Sequence, residues 1–200
     1  MTPSSHANPQ RELIPSVIEQ SELRRGGRLL ASPTDRIPVV EVESFPLLGR
    51  LAALRFIEWV LDNPGGVIAL PTGKTPEHFI GWVARILHRW DTPEIRNLLE
   101  EHGLRPAARP AMEGLTFVQI DEFYPMNARQ YNSFHHYVTE YYIKNFGLDS
   151  AKALLIDATT LGLSEGMTME EVFPGNLVDL SLRVRHTRTN LERLQKEVIN

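Results

Sequence analysis

The sequence predicts an α/β fold with a mostly parallel sheet, and three observations predict it. Apolar strand-like runs begin at Val67, Leu115 and Ala153, and stretches of helical periodicity separate them. The first run passes through a glycine-containing turn into a helix. The second ends directly in two acids. Strands that alternate with helices, rather than following one another through hairpin turns, indicate layers built on parallel connections.

Composition bounds what such a chain does. Two hundred residues, 42% of them hydrophobic, can form one sizeable core, and length argues for a single domain. A net charge of −4 and scattered arginines give no support to nucleic-acid binding. With no cysteine, disulfides and thiolate chemistry are excluded. No apolar run approaches the roughly 18 residues of a membrane span, and residues 1–30 lack the apolar centre of a secretory signal. A cytoplasmic protein with no membrane partner is the expectation.

In chain order, residues 1–36 carry four prolines and two glycines among polar residues and read as a polar leader or arm. Its Arg24, Arg25 and Arg28 form a basic patch that is either solvated or touches a partner. Ile37 to Val42 is β-favouring, with Pro38 arguing for an edge. From Pro46 to Asp62, Leu47, Leu51, Leu54, Ile57 and Leu61 recur at three- and four-residue steps, the mark of a buried helical face. Asn63-Pro64-Gly65-Gly66 ends that helix. Val67 to Leu70 is a short apolar run suited to a strand buried on both faces. Thr75 can cap the next helix and Pro76 suits its first position. Phe79, Val83, Ile86, Leu87 and Trp90 form its stripe.

Thr92-Pro93 restarts a helix that closes at Gly103, and Arg105 to Gly114 is a loop. Leu115 to Ile120 is the second strand. After a loop over Tyr124 to Tyr131, Asn132 or Ser133 opens a helix running to Phe146 and stopped by Gly147. His135 and His136 are adjacent, hence on different sides of that helix, which is poor geometry for one metal; they read as surface or core histidines. Ala153 to Asp157 is a third strand, and Met169–Phe173 a short helical turn. Thr189 and Glu192 make a capping box for a final helix. About three strands, where a doubly wound sheet usually has five or more, predict an open edge and an uncovered apolar face.

Two places carry candidate chemistry. In Thr72-Gly73-Lys74-Thr75 the glycine lets a backbone approach a ligand, the helix start favours an anion, and Lys74 adds a charge. A nucleotide P-loop would need glycine where Ile68 stands. An ordinary strand-to-helix turn accounts for the same residues. Asp121 leaves the second strand at its carboxyl end, where open α/β sheets bind ligands, and Glu122 follows as a possible second acid. A helix cap or turn-forming aspartate is the alternative for Asp121.

Together, Leu70-Pro71-Thr72-Gly73-Lys74-Thr75-Pro76, Gln119-Ile120-Asp121-Glu122-Phe123 and Tyr131-Asn132-Ser133-Phe134 resemble the glucosamine-6-phosphate deaminase family in order and separation. That family pairs a Pro-Thr-Gly-Gly-Thr-Pro turn with an Asp-Glu-Tyr strand end and a Ser-Tyr or Ser-Phe helix start. The resemblance covers roughly residues 37–148 and implies a Rossmann-like three-layer domain, incomplete in this chain. On this reading residues 37–200 are the amino-terminal part of a sugar-phosphate deaminase/isomerase-like domain. It implies conversion of glucosamine 6-phosphate to fructose 6-phosphate and ammonia without a cofactor. Thr72, Gly73, Lys74 and Thr75 would hold the phosphate, and Asp121 would move a proton between C2 and C1 of the opened sugar. Lys74 replaces the family's second glycine.

The family's later Asp-Gly-His segment, which opens the sugar ring, has no counterpart. None of His6, His78, His88, His102, His135, His136 and His186 follows Asp-Gly. The chain alone is therefore expected not to deaminate. The rival readings are a non-catalytic sugar-phosphate binding or regulatory module, and a 6-phosphogluconolactonase-like hydrolase, which usually has arginine where Phe123 stands. The partner implied is a small-molecule sugar phosphate, with a homo-oligomer left open.

Overall fold

A computed structural model describes residues 16–30, 39–158, 163 and 166–200. The expected leader over 1–15 and 31–36, and the start of the strand predicted at Ile37, lie outside the described residues. The chain divides into two compact units. One, here called the helical unit, comprises Met1–Gly66 and Gly73–Gly114; the other, the sheet unit, comprises Val67–Thr72 and Leu115–Asn200.

In the helical unit, α1 (Val17–Arg24) starts at Ser16, whose side chain accepts from the Glu19 amide. Its fully buried Ile18 explains why this part of the predicted leader folds. The buried Glu58 carboxylate, on α2 (Phe45–Asp62), accepts from Ser16 Oγ at 2.6 Å and the Val17 amide at 2.7 Å. A charged acceptor thus satisfies the orphan donors of the first turn of α1. β1 (Arg28–Leu30) and β2 (Val39–Glu41) pair antiparallel, Leu29 opposite Val40.

Ser44 caps α2, whose Leu51, Ala53, Leu54, Ile57 and Val60 are buried. α3 (Glu77–His88) buries Ile80, Val83, Ile86 and Leu87, and the Phe56 and Phe79 rings meet edge to face at 5.6 Å. α4 (Pro93–Glu101) is capped by Thr92 and contributes Ile95 and Leu99.

The sheet unit holds a parallel three-stranded sheet in the order β3 (Val67–Ile68), β4 (Thr116–Val118), β5 (Ala153–Leu154). The register sets Ile68 beside Phe117 and Phe117 beside Ala153. α5 (Phe134–Val138) continues as one wider π-helical stretch, Thr139–Lys144, and covers one face of the sheet. There Tyr142 packs on Phe117, ring centroids 5.8 Å apart. On the opposite face Val67 and Leu154 are each 64% exposed, while Thr116 and Val118, their register partners on β4, are half-buried. Val67 to Leu70 is therefore a two-residue strand buried on one side, not the two-sided strand its composition predicts. Apolar surface on that face is exposed at the two outer strands.

The carboxyl-terminal part builds a second core within this unit. α6 (Met169–Val172) and α7 (Asn190–Ile199) both open with capping boxes, at Thr168–Glu171 and Thr189–Glu192. Met169, Val172, Phe173, Val178, Leu182 and Ile199 pack together beneath them. Among the described residues, no helix is long and apolar enough to cross a membrane.

Candidate functional site

The turn after β3 is the first candidate element. Gly73 has φ of 93°, a conformation that side chains with a Cβ rarely adopt, so glycine is needed there to redirect the chain. Lys74 and Thr75 are exposed and Thr72 is half-buried. Two details differ from the sequence reading. The helix begins at Glu77 with Pro76 as its cap residue, and no side chain, Thr75 included, makes a capping bond. The first helical amide is also not free, because Glu77 N–H donates to the Lys74 carbonyl at 3.2 Å.

Ahead of the turn, the Tyr142 hydroxyl donates to the Pro71 carbonyl at 2.5 Å. Burial holds the Tyr142 phenol far above its ordinary pKa, with a further push from Tyr137, so it remains a donor at every physiological pH. This bond anchors the start of the turn to the helix that covers the sheet.

The second candidate lies beyond β4. Gln119 is buried, and its side chain bridges two strand ends: Nε2 donates to the Asp121 carbonyl at 2.8 Å, and Oε1 accepts from the Ile156 amide at 2.9 Å. The Asp121 backbone is thus pinned while its carboxylate stands exposed, with no protein partner among the described residues.

Glu122 has a different task. Its carboxylate accepts from the amides of Phe134 at 3.0 Å and His135 at 2.8 Å, while Ser133 Oγ takes the His136 amide at 2.9 Å. The first turn of α5 is thereby satisfied from 12 residues away, and the negative charge sits at the positive end of the helix. The adjacent acids, both beyond the end of β4, therefore differ in role: Glu122 is spent on structure and Asp121 is left for solvent or ligand.

His135, read from sequence as a surface or core residue, belongs to this network. Its ring nitrogen Nδ1 lies 3.0 Å from the Ile156 carbonyl oxygen, just beyond β5. No local sequence signal marks it, because its partners are 13 and 21 residues away. Thr72, Asp121 and Ile156 all follow the carboxyl ends of parallel strands in one sheet, β3, β4 and β5 in turn. Gly73, Lys74 and Thr75 belong to the next segment of chain, in the helical unit. Clefts of about 480 and 440 Å³ open elsewhere in that unit, around Trp90–Arg109 and around Glu58–Ala111, and neither is lined by the candidate residues.

No family model matches this sequence, and no curated protein is similar to it. Among solved structures, the chain is similar to a monomeric glucosamine-6-phosphate deaminase described as a missing link of the NagB superfamily. The TM-score is 0.46 at 18% identity, over 61% of this chain and 43% of that one. The chain therefore spans less than half the length of the structure it matches.

Proposed function

We propose that this chain binds a hexose phosphate and moves a proton on the carbon next to a carbonyl or imine, the chemistry of amino-sugar phosphate isomerisation and deamination. The observation that carries this reading is the rim of the sheet unit: Thr72 and Asp121 follow adjacent parallel strands, and of the two acids Asp121 is the one whose carboxylate has no protein partner among the described residues. The three motifs that resemble the glucosamine-6-phosphate deaminase family supply the substrate class. In this reading Thr72, Gly73, Lys74 and Thr75 seat the phosphate through backbone, hydroxyl and ammonium groups. Asp121 takes the C2 proton, and a positioned carboxylate of this kind contributes roughly 10²- to 10⁴-fold to rate. Glu122, engaged as a helix cap, acts by fixing the segment that follows Asp121.

Isothermal titration with glucosamine 6-phosphate and with unphosphorylated glucosamine tests the proposal. Only the phosphorylated sugar should bind, and Lys74→Ala should weaken it by about 1–2 kcal/mol, the scale of a charge-assisted hydrogen bond. Asp121→Asn should retain that affinity and abolish exchange of the C2 proton with solvent deuterium. Equal affinity for the two sugars, or exchange at the parental rate in Asp121→Asn, overturns the reading.

A further inference from the structure

Away from the sheet rim, the helical unit holds a third cavity, of about 480 Å³, lined by the end of α1, the strands β1 and β2 and the first half of α2. Its volume lies in the range of small-molecule pockets, roughly 300–1,000 Å³. Three arginines and three glutamates line it, so the wall carries no net charge. Pairing divides them. Arg28 Nη1 lies 3.6 Å from a Glu41 carboxylate oxygen, and Arg25 is committed to Glu101 at 3.3 Å and to His102 Nε2 at 3.3 Å. The side chains of Arg50, Glu22 and Glu43 make no hydrogen bond or ion pair among the described residues.

Arg50 is the informative one. It stands on α2, one residue after the buried Gly49, and is itself half-buried. A guanidinium has five donors and does not give up its proton, so partial burial without an acceptor is a cost that helix packing does not require. Glu22 is also half-buried, and a Cβ on Gly27 would lie 3.2 Å from its Cγ, so the turn after α1 closes against the stem of that acid. The charges of Arg50 and Glu22 both act on the His102 ring, which puts the two groups in one neighbourhood.

We propose that this cavity binds a free α-amino acid with an aliphatic side chain, as its zwitterion, with the carboxylate on Arg50 and the ammonium on Glu22 and Glu43. A simple anion such as phosphate would meet two unpaired carboxylates, and a simple cation would meet the unpaired guanidinium. A ligand that carries both charges on neighbouring atoms answers both and leaves the neutral wall neutral. The numbers of donors and acceptors agree as well. An ammonium has three donors to share between two carboxylates, and a carboxylate takes two parallel bonds from the guanidinium fork. Val42 and Leu47, both half-buried in the same lining, give an aliphatic side chain its apolar contact. The site shares no residue with the turn at Thr72–Thr75 or with Asp121, and the inference is independent of the function proposed for them.

Isothermal titration of this chain with L-leucine tests the assignment against two truncated forms of the same molecule. One is 4-methylpentanoate, which is leucine without its ammonium; the other is 3-methylbutylamine, which is leucine without its carboxylate. Leucine should bind, and each truncated form should be weaker by about tenfold or more, because each loses a charge-assisted pair. Arg50→Gln should weaken leucine by about tenfold or more, and the double variant Glu22→Gln, Glu43→Gln should do the same. If circular dichroism shows Arg50→Gln unfolded, the double variant decides, since neither carboxylate has a partner to lose among the described residues. No heat from leucine at about 10 mM overturns the inference. So does equal affinity for leucine and either truncated form, or parental affinity in the variants. Inorganic phosphate that binds more tightly than leucine and is lost in Arg50→Gln would make the cavity a simple anion site and also overturns it.

Discussion

His102 illustrates what one buried titratable side chain does in this molecule. It is 1% exposed, with Nδ1 2.8 Å from the Leu98 carbonyl oxygen and Nε2 3.3 Å from an Arg25 nitrogen. Arginine only donates, so Nε2 accepts, Nδ1 donates to Leu98, and the ring is neutral. Burial pushes its pKa below the ordinary histidine value; the Leu98 carbonyl opposes this, the charges of Arg25 and Arg50 add to it, and Glu22 opposes it. A folded-state pKa below the unfolded one means that the unfolded chain binds the proton first as pH falls. The contribution of His102 to stability is then complete above the unfolded value of about 6.5, is lost as pH falls from there through the folded value, and is flat below it. His102→Asn should be less stable than the parent at pH 7.5, and its urea midpoint should fall less between pH 7.5 and 5.5. Parallel midpoint curves for the two proteins would show that another group carries the acid sensitivity of the helical unit.

At the level of elements, the α2–α3 pair depends on a residue that hydrophobic periodicity does not single out. A Cβ on Gly49 would lie 2.4 Å from His78 Cβ and 2.9 Å from the backbone at His78 and Phe79. Helix propensity favours alanine over glycine by about 0.8–1.0 kcal/mol in a helix interior, but overpacking a close contact typically costs about 1–3 kcal/mol. The atom in the way is anchored on the backbone, so the steric term should win. Gly49→Ala is expected to destabilise the helical unit by about 1–2 kcal/mol, read from the urea midpoint. A rise in midpoint would mean that the two helices separate at no cost. In the sheet unit the comparable long-range device is Glu122, which caps α5 across a 12-residue gap. The capping boxes at Thr168 and Thr189 act within a single turn.

For the molecule as a whole, the exposed sheet face is the main liability. Val67 and Leu154 on the outer strands, and Ile120 just beyond β4, are each more than half exposed, and among the described residues β3 and β5 have one strand neighbour apiece. An apolar face beside open edges favours association with other chains. The triple variant Val67→Thr, Ile120→Thr, Leu154→Thr should retain the far-ultraviolet spectrum, bind less of a hydrophobic dye and scatter less light at a given concentration. Unchanged dye binding and scattering would place the exposed apolar surface elsewhere.

The sequence by itself determined the local structure. The α/β class, the helices over 45–62 and 93–101, the Ser133 start of α5, the glycine turn at 73 and the capping box at Thr189 are all written in residues a few positions apart, because caps, turns and periodic stripes act over one or two turns of chain. It also marked Asp121 as the acid at a strand end. Only the tertiary structure decided that Glu122 caps α5, that His135 joins the Gln119–Ile156 network, that Ile18 is buried within the predicted leader, and that Val67 faces outward. Each depends on a partner at least a dozen residues away or on which sheet face is covered. The apolar run Val67–Leu70 reads the same whether a second layer covers it or not, since burial is a property of what packs on a strand and not of the strand itself.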